Sequence, residues 1–360
     1  MAISLGGCCI VDSSVRMEDI DSDPVKEWVE ANRPEPGHLS VVESIPQDVQ
    51  RWFDSRTEGL TVGGGAANAG MRLADLGVGT EIWGLVGDDN WGRFYRRALE
   101  RRGIDVSRVQ VTDKYPTSRT VVLEERDDRC FIHVLGANAL LKPDHYQSSD
   151  STWGDYLGYL YIFGNEWPGE SGRHMAEILE RMKNRKKIAM LATTADPNKI
   201  WDGAEPALRY ADIFFCNEVE ALGITREKDY RAAAEKLNKM GVRLVSITLG
   251  RNGSYAYRKT MSDQFSARAR PAYDIPPTVR RAAGDSYAAG FMALCDMHVS
   301  AVGLAEGAES IPMNTACDYG NAVASLAVGG NQHINPEMVR RLVESRKFLY
   351  IPQQPDNTIG

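Results

Sequence analysis

The segment RRAAGDSYAAGF, residues 280–291, places one carboxylate, Asp285, directly after a run of small residues. Small side chains leave backbone N–H groups uncovered, and uncovered N–H groups at the start of a helix form a binding site for anions. A carboxylate beside such a site can accept the proton of an attacking hydroxyl group. The same pattern is also typical of an ordinary helix start, because the helix dipole favours an acidic residue there.

Further polar side chains and glycine turns follow other apolar runs of the chain. In open α/β sheets, ligands bind beyond the carboxyl ends of the strands, so groups at predicted strand ends are expected to line one ligand site. The residues at predicted strand ends or at the helix starts that follow them are Asp12, Gly63, Gly64, Gly65, Asn68, Asn217, Glu220, Thr248 and Gly250.

Each of these motifs also has a purely structural interpretation. GGGAANAG is a helix start and packing turn, and it departs from the dinucleotide fingerprint because Asn68 occupies the third glycine position. Asn217 is a good N-cap for the helix EVEALG, and the Asn-Gly pair in TLGRNGSYAY favours a tight hairpin turn. The order of the motifs along the chain is therefore more informative than any one of them.

A sheet is needed to bring these strand ends together. YLYIFG, KIAMLATTAD, ADIFFCN and RLVSITLG are predicted strands, and they alternate with helices such as SGRHMAEILERMKNRK and YRAAAEKLNKMG. This alternation is typical of a mostly parallel sheet with helices on both faces. Near the N-terminus, ISLGGCCIVD is predicted as one buried strand that ends at Asp12. The hairpin-like segments near 16–45 and 108–135, including SRTVVLEERDDRCFIHVLG, are predicted to form a small second layer.

Composition narrows the class of protein. The 360 residues include 42 basic and 49 acidic ones, and the net charge of −7 argues against a general nucleic-acid or anionic-membrane surface. The six cysteines show no CxxC pair and no Cys/His ligand spacing, which predicts a reducing compartment and no structural metal. The sequence has no signal-peptide pattern at its N-terminus and no run of ~18 apolar residues. We therefore expect a cytoplasmic protein with no nucleic-acid or membrane partner.

Taken in order, the motifs resemble the signatures of the ribokinase-like (PfkB-type) carbohydrate kinase family, over nearly the whole chain. GGGAANAGMRLADLGVGTEIWGLVGDDNWG resembles the first signature, GG-x-x-x-N followed by a strand and G-x-D-x-x-G, which we assign to Gly87, Asp88 and Gly92. NEVEALG resembles the family motif N-x-x-E, and TLGRNG resembles T-x-G. AAGDSYAAGF resembles the second signature, D-T-x-G-A-G-D.

The second signature departs from the family in its opening residues. The usual Asp, Thr and first Gly fall on Val279, Arg280 and Ala282, whereas the next three residues match. A backbone N–H survives the exchange of Gly for Ala, so the anion site is expected to persist, provided that residue 282 does not take a positive φ. Arg280 and Arg281 are either solvated or partners of an ATP phosphate or of an acidic or phosphorylated substrate.

The resemblance implies an α/β fold, namely a ribokinase-like three-layer α/β/α sandwich with a mostly parallel central sheet and a small β-lid. The implied parts are a nucleotide- and substrate-binding core (1–15, 46–107 and 136–350), the lid (16–45 and 108–135) and a tail (351–360). Exposed lid strands are candidates for pairing between the two subunits of a homodimer.

The same resemblance implies an ATP-dependent kinase that phosphorylates a hydroxyl group of a sugar. Asp285 would be the general base, and the backbone at Ala282, Ala283 and Gly284 would form the anion hole. The residues implied for the substrate are Asp12, Gly64, Gly65 and Asn68. The residues implied for the nucleotide are Asn217, Thr248, Gly250 and Asn321, with Glu220 organising Mg²⁺ through water. A monovalent cation is a second candidate ion.

Two alternatives stay open at this point. One is a nucleoside kinase of the same family, which the long insertion after the first strand would permit. The other is a sugar-binding relative without turnover, which the altered second signature would permit.

Overall fold

The computed structural model describes residues 2–35, 39–56, 60–124, 129–146, 155–159, 171–184, 187–193, 204–259, 265–278, 282–302 and 311–348. The strands are β1 (Ala2–Gly6), β2 (Ile10–Arg16), β3 (Leu39–Val42), β4 (Leu60–Gly63), β5 (Gly79–Gly87), β6 (Asp105–Thr112), β7 (Ser118–Glu124), β8 (Arg129–Val134), β9 (Asp155–Tyr159), β10 (Ala189–Ala192), β11 (Ile213–Asn217), β12 (Leu244–Thr248), β13 (Ser254–Lys259) and β14 (Phe265–Arg270). The α-helices are α1 (Asp23–Asn32), α2 (Gln47–Arg56), α3 (Gly65–Asp75), α4 (Asn90–Glu100), α5 (Ser171–Asn184), α6 (Glu205–Leu208), α7 (Glu218–Thr225), α8 (Tyr230–Lys239), α9 (Ala283–Val302), α10 (Met313–Val328) and α11 (Pro336–Ser345).

Within the described residues the strands form two sheets. The larger has the order β14-β13-β12-β11-β10-β9-β1-β5-β6 and the smaller the order β3-β8-β7-β2-β4. Every neighbouring pair from β12 to β6 in the larger sheet is parallel, and only β13 and β14 join it in antiparallel fashion. The carboxyl ends of the parallel strands therefore meet along one edge, as the alternation of strands and helices predicts.

Helices cover both faces of the larger sheet. One apolar cluster joins the sheet to α3, α4, α9 and α10, and a second joins it to α5, α6, α7 and α8. Strands that are covered on both faces are apolar throughout. In β11 and β12, accordingly, every residue is buried up to the last one, which is polar. The three-layer α/β/α architecture with a mostly parallel sheet is thus confirmed.

The N-terminal apolar run is where the prediction of a single strand is wrong. The structure contains two strands there, β1 in the larger sheet and β2 in the smaller, and Asp12 lies inside β2 rather than at a strand end. The chain passes from one sheet to the other at residues 7–9. Asn138 holds this passage, because its side chain accepts from the N–H of Cys9 and donates to the carbonyl of Cys9, both at 3.1 Å.

The smaller sheet is covered on one face by α1 and α2. The predicted hairpin SRTVVLEERDDRCFIHVLG is confirmed, since β7 and β8 pair in antiparallel register. Strands β3, β7 and β8 lie inside the two segments predicted as a lid, whereas β4 and nearly all of β2 lie outside them. The second segment begins within β6, which belongs to the larger sheet. The division into core and lid stays a prediction, and the predicted tail lies outside the described residues.

In the described part of the chain, every helix is too short or too polar to cross a membrane.

Candidate active site

The starts of two helices meet at the centre of the candidate site. Asn68 lies in the first turn of α3 and Asp285 in the first turn of α9, and both are half-buried. The amide of Asn68 donates to the Oδ2 atom of Asp285 at 2.9 Å. Because a helix N-terminus carries partial positive charge, two of them together favour a carboxylate at this point. The predicted substrate residue and the predicted base are therefore in direct contact, although 217 positions separate them.

The turn before Asp285 has the form of an anion site. The carbonyl of Ala282 accepts from the N–H of Ser286 at 2.9 Å, so α9 begins directly after Ala282. The first N–H groups of a helix have no acceptor within the helix, which leaves the backbone at Ala283, Gly284 and Asp285 able to bind an anion. Gly284 is exposed, and a Cβ atom placed on it would meet nothing within 4 Å.

Ala282 itself has a φ of +53°, in the left-handed region. The condition that residue 282 does not take a positive φ is therefore not met, and the alanine is held in a conformation that glycine adopts without strain. The left-handed conformation costs an L-residue roughly 1–2 kcal/mol. The neighbouring Val279, Arg280 and Arg281 lie outside the described residues.

Asp12 reaches the start of α3 from the smaller sheet. A Cβ atom placed on Gly63 would lie 2.5 Å from the Oδ2 atom of Asp12, so only glycine leaves room for this carboxylate. Gly64 has a φ of +90°, and a Cβ there would lie 2.1 Å from the carbonyl oxygen of Cys8. The predicted substrate residues Asp12, Gly64 and Asn68 are thus brought together, and Gly65 is the first residue of α3.

Asn217 and Thr248 end neighbouring strands and are partners in the register of β11 and β12. Asn217 caps α7 in a capping box: it accepts from the N–H of Glu220 at 2.9 Å, and its own N–H donates to Glu220 Oε2 at 2.8 Å. The structural interpretation of Asn217 as an N-cap is therefore confirmed.

Glu220 also accepts a hydrogen bond from the hydroxyl of Thr193. Burial raises the pKa of Glu220, and the hydrogen bonds from Thr193 and Asn217 counteract only part of this effect. Among the described residues, no group of three or more His, Cys, Asp or Glu side chains is placed to hold a metal ion. The role of Glu220 toward Mg²⁺ stays a prediction.

Two further predicted nucleotide residues lie beside β12 and on α10. Gly250 opens a short turn after β12 with a φ of +57°, and a Cβ atom there would meet nothing within 4 Å. Asn321 is only 4 % exposed, and its amide donates to the carbonyls of Arg270 and Pro271, both at 3.1 Å. Asn321 therefore holds the chain that follows β14, and its role toward the nucleotide stays a prediction.

The motif G-x-D-x-x-G contains an aspartate that our assignment placed one position too early. Counted from Gly87, its aspartate is Asp89, not Asp88. Asp89 caps α4 by accepting from the N–H of Gly92 at 2.7 Å, and it accepts from the N–H and hydroxyl of Thr117, each at 2.7 Å. Asp88, in contrast, is exposed, and its carboxylate forms an ion pair with Arg93 at 3.2 Å. The spacing alone was sufficient to find Asp89.

Comparison with solved proteins identifies the fold class. A putative ribokinase II from E. coli, in its apo form, superimposes with a TM-score of 0.71 at 16% identity, over 96% of this chain and 100% of that one. The fold is therefore ribokinase-like.

Comparison of sequences identifies the family. The model of the pfkB family carbohydrate kinases matches residues 47–339, so the chain belongs to this family and is an ATP-dependent phosphotransferase. A fructokinase from Vibrio alginolyticus is 25% identical over an alignment of 301 residues, and the match covers 80% of this chain and 90% of that protein. An ATP-dependent ribose-1-phosphate kinase from Halopiger xanaduensis is 26% identical over 279 residues, 76% of this chain and 82% of that protein.

Proposed function

We propose that this chain transfers the γ-phosphoryl group of ATP to a hydroxyl group of a sugar, with Asp285 as the general base. The observation that carries the proposal is the contact between Asn68 and Asp285 at 2.9 Å, at the junction of two helix N-termini. This contact supports the proposal because a carboxylate, an oriented amide and an open stretch of backbone N–H groups lie close together.

In the proposed reaction the substrate oxygen forms a bond to the γ-phosphorus while the bond between that phosphorus and the ADP oxygen breaks. The proton of the substrate hydroxyl passes to the carboxylate of Asp285. The backbone N–H groups at residues 283–285 bind the oxygens of the group in transfer. Catalysis of this kind consists mainly of positioning and charge stabilisation.

Asp12 and Asn68 would orient the sugar. A carboxylate accepts from hydroxyl groups, and an amide both donates and accepts, so together they bind neighbouring hydroxyls with defined directions. Since the side-chain amide of Asn68 already donates to the carboxylate of Asp285, Asn68 would connect the orientation of the sugar to that of the base.

Oxygen donors at the ends of β11 and β12 fit a hydrated Mg²⁺ ion and a nucleotide phosphate. Asn217, Glu220 and Thr248 lie together there, and the open backbone at Gly250 leaves space beside them. Bound Mg²⁺ would neutralise phosphate charge. The carboxyl of Glu220 would orient water toward it, consistent with the few direct protein ligands that Mg²⁺ requires. We assign Asn321 to the adenine side of the same site.

Release of ADP by the full-length protein, with a panel of sugars and nucleosides, tests the proposal. Asp285→Asn keeps the shape of the side chain and removes the base, so we expect kcat to fall by roughly 10²–10⁴ with ATP binding retained. Asp229→Asn is the matched control, because Asp229 caps α8 and asparagine is an equally good N-cap.

Two results would contradict the proposal. One is an Asp285→Asn variant that retains more than about a tenth of the wild-type kcat, since a general base contributes more than that. The other is a wild-type protein that binds a sugar in calorimetry and releases no ADP, which would identify a binding protein. Turnover of adenosine in preference to every sugar would assign the substrate to the nucleosides.

The proposal also includes a homodimer that forms through the smaller sheet. One edge of that sheet is β3, where Val41 is 38 % exposed. Sedimentation velocity of the wild-type protein and of Val41→Lys tests it, because a charge on an edge strand opposes pairing.

A further inference from the structure

The hydroxyl group of Thr193 belongs to none of the motifs found in the sequence. Thr193 directly follows β10, and its N–H donates to the carbonyl of Phe215 at 3.3 Å, so the pairing of β10 with β11 continues to this residue. Asn217 ends β11, and Thr248 ends β12. The ends of three neighbouring strands therefore carry a hydroxyl, an amide and a second hydroxyl, at the edge of the sheet where ligands of α/β proteins bind.

The hydroxyl of Thr193 and the N–H of Asn217 donate to the same oxygen atom of Glu220. Thr193 Oγ1 donates to Oε2, and the N–H of Asn217 donates to Oε2 at 2.8 Å. The side chain of Asn217 is used differently, because its Oδ1 atom accepts from the backbone N–H of Glu220 at 2.9 Å. Within the described residues, the hydrogen bonds to this carboxylate thus end on Oε2, and Oε1 is the oxygen available to a ligand.

The orientation of this carboxylate depends on both donors. The last torsion of a glutamate side chain is broad and roughly two-fold, so one hydrogen bond leaves the carboxyl group free to rotate. The two donors come from separate elements, since Asn217 is the N-cap of α7 and Thr193 follows β10. Hydrogen bonds to an ionised carboxylate are also stronger than those between neutral groups. The hydroxyl of Thr193 therefore determines which oxygen of Glu220 is available.

A hydroxyl at this position also limits the negative charge of the site. A carboxylate in place of Thr193 would repel Glu220, whereas a hydroxyl donates to it. In the part of the chain that the structure describes, no group of three or more His, Cys, Asp or Glu side chains could hold a metal ion. Mg²⁺ retains several waters and binds through one or two carboxylates and the phosphates of the substrate. The donor set thus fits an ion that arrives with the nucleotide.

We infer that Thr193 is a positioning residue for this ion: its hydroxyl holds Oε2 of Glu220 and leaves Oε1 to accept from the water shell of Mg²⁺. The inference rests on the proposed function, which supplies the nucleotide and the ion. Residues that orient the groups around a metal ion typically contribute about 10–100-fold to metal affinity. Because Glu220 acts through water, we expect an effect at the lower end of this range.

Mn²⁺ binding to the full-length protein tests the inference without turnover. Mn²⁺ prefers the same oxygen ligands and octahedral geometry as Mg²⁺, and the EPR signal of unbound Mn²⁺ reports its binding. With protein in excess, so that all ADP is bound, Thr193→Val should raise the Kd of Mn²⁺ about tenfold. The Kd of ADP in EDTA, measured by calorimetry, should not change. Thr193→Ser keeps the hydroxyl and should restore the Mn²⁺ affinity to within about twofold of the wild type.

Thr225→Val is the matched control. Thr225 ends α7 and is 1 % exposed, and its hydroxyl donates to the carbonyl of Ala221 at 2.7 Å. This variant loses a buried threonine hydroxyl from the helix that carries Glu220, and it leaves the carboxylate of Glu220 untouched. A purely structural role of Thr193 would give Thr193→Val and Thr225→Val the same Mn²⁺ affinity, and that result would overturn the inference.

A double-mutant cycle tests whether Thr193 acts through Glu220. If it does, Thr193→Val should change the Mn²⁺ affinity by less than about twofold once Glu220→Gln is present. A second loss of about tenfold in that background would overturn the inference. Should Thr193→Val fail to fold, Thr193→Ala removes the same hydroxyl and replaces it in every measurement.

The outcomes for this inference and for the proposed function are distinguishable. A protein that shows the expected Mn²⁺ affinities and releases no ADP with any sugar would contradict the proposed reaction and support the role of Thr193. A protein that releases ADP with a sugar, but binds Mn²⁺ equally well with and without the Thr193 hydroxyl, would overturn this inference and leave the proposed function standing.

Discussion

Replacing Ala282 by glycine tests whether the start of α9 is strained. The φ of +53° at Ala282 costs an L-residue roughly 1–2 kcal/mol relative to glycine. Glycine loses more conformational freedom on folding than alanine, which costs about 0.5–1 kcal/mol. The difference predicts that Ala282→Gly raises the free energy of unfolding by about 0.5–1 kcal/mol. Most substitutions lower this quantity, so the sign itself is informative.

Ala283→Gly provides the matched control one residue further along. Ala283 is the first residue of α9 and has no positive φ, so glycine there relieves no strain. We expect it to lower the free energy of unfolding by about 0.5–1 kcal/mol. The two variants make the same chemical change in the same turn, and they should differ by about 1–2 kcal/mol with opposite signs.

Urea denaturation of the full-length protein, with ADP release as a check of the native site, measures both effects. A change in midpoint with an unchanged m-value reports stability. Both variants retain their backbone N–H groups, so an effect on stability is separable from loss of the anion site. If Ala282→Gly lowers the midpoint as Ala283→Gly does, residue 282 is not strained, and our account of the turn is wrong.

Three further substitutions test the contacts of the site. Glu220→Gln should keep the capping box and raise the Mg²⁺ concentration needed for half-maximal activity. It should also remove the contribution of Glu220 to the pH dependence of stability: because burial raises the pKa of Glu220 in the folded state, this contribution to the free energy of unfolding falls as pH rises above 4.5 through the folded pKa. Asp89→Ala should cost about 2–3 kcal/mol in thermal or urea unfolding, whereas Asp88→Ala should stay within about 0.5 kcal/mol. Gly63→Ala should displace the carboxylate of Asp12 and raise the sugar KM more than the ATP KM in steady-state kinetics.

The larger sheet was predictable because burial leaves a simple pattern in its strands. β11 is apolar until its last residue, Asn217, and β12 has only one polar residue, the buried Ser246, before its last residue, Thr248; both faces of these strands are covered. The end of such a run is therefore the end of the strand. The motifs at these ends were found for the same reason, because a polar residue that interrupts a buried run is conspicuous.

The passage between the sheets could not be predicted in this way. Residues 3–9 are buried throughout, and burial continues at Val11, so hydrophobicity does not change where the chain leaves one sheet for the other. The passage depends on the hydrogen bonds between Cys9 and Asn138, 129 positions apart. The positive φ at Ala282 could not be predicted either, because an alanine in a sequence does not indicate this conformation.

Asp88 and Asp89 are adjacent and have the same side chain, yet only Asp89 caps α4. Either aspartate could cap a helix that follows it. Thr117 decides between them, because its N–H and hydroxyl donate to Asp89 directly before β7 begins. This contact joins the N-terminus of α4 to the strand that carries Thr120. Asp89 therefore holds the start of β7, and β7 pairs with β2 in a register that places Thr120 beside Asp12.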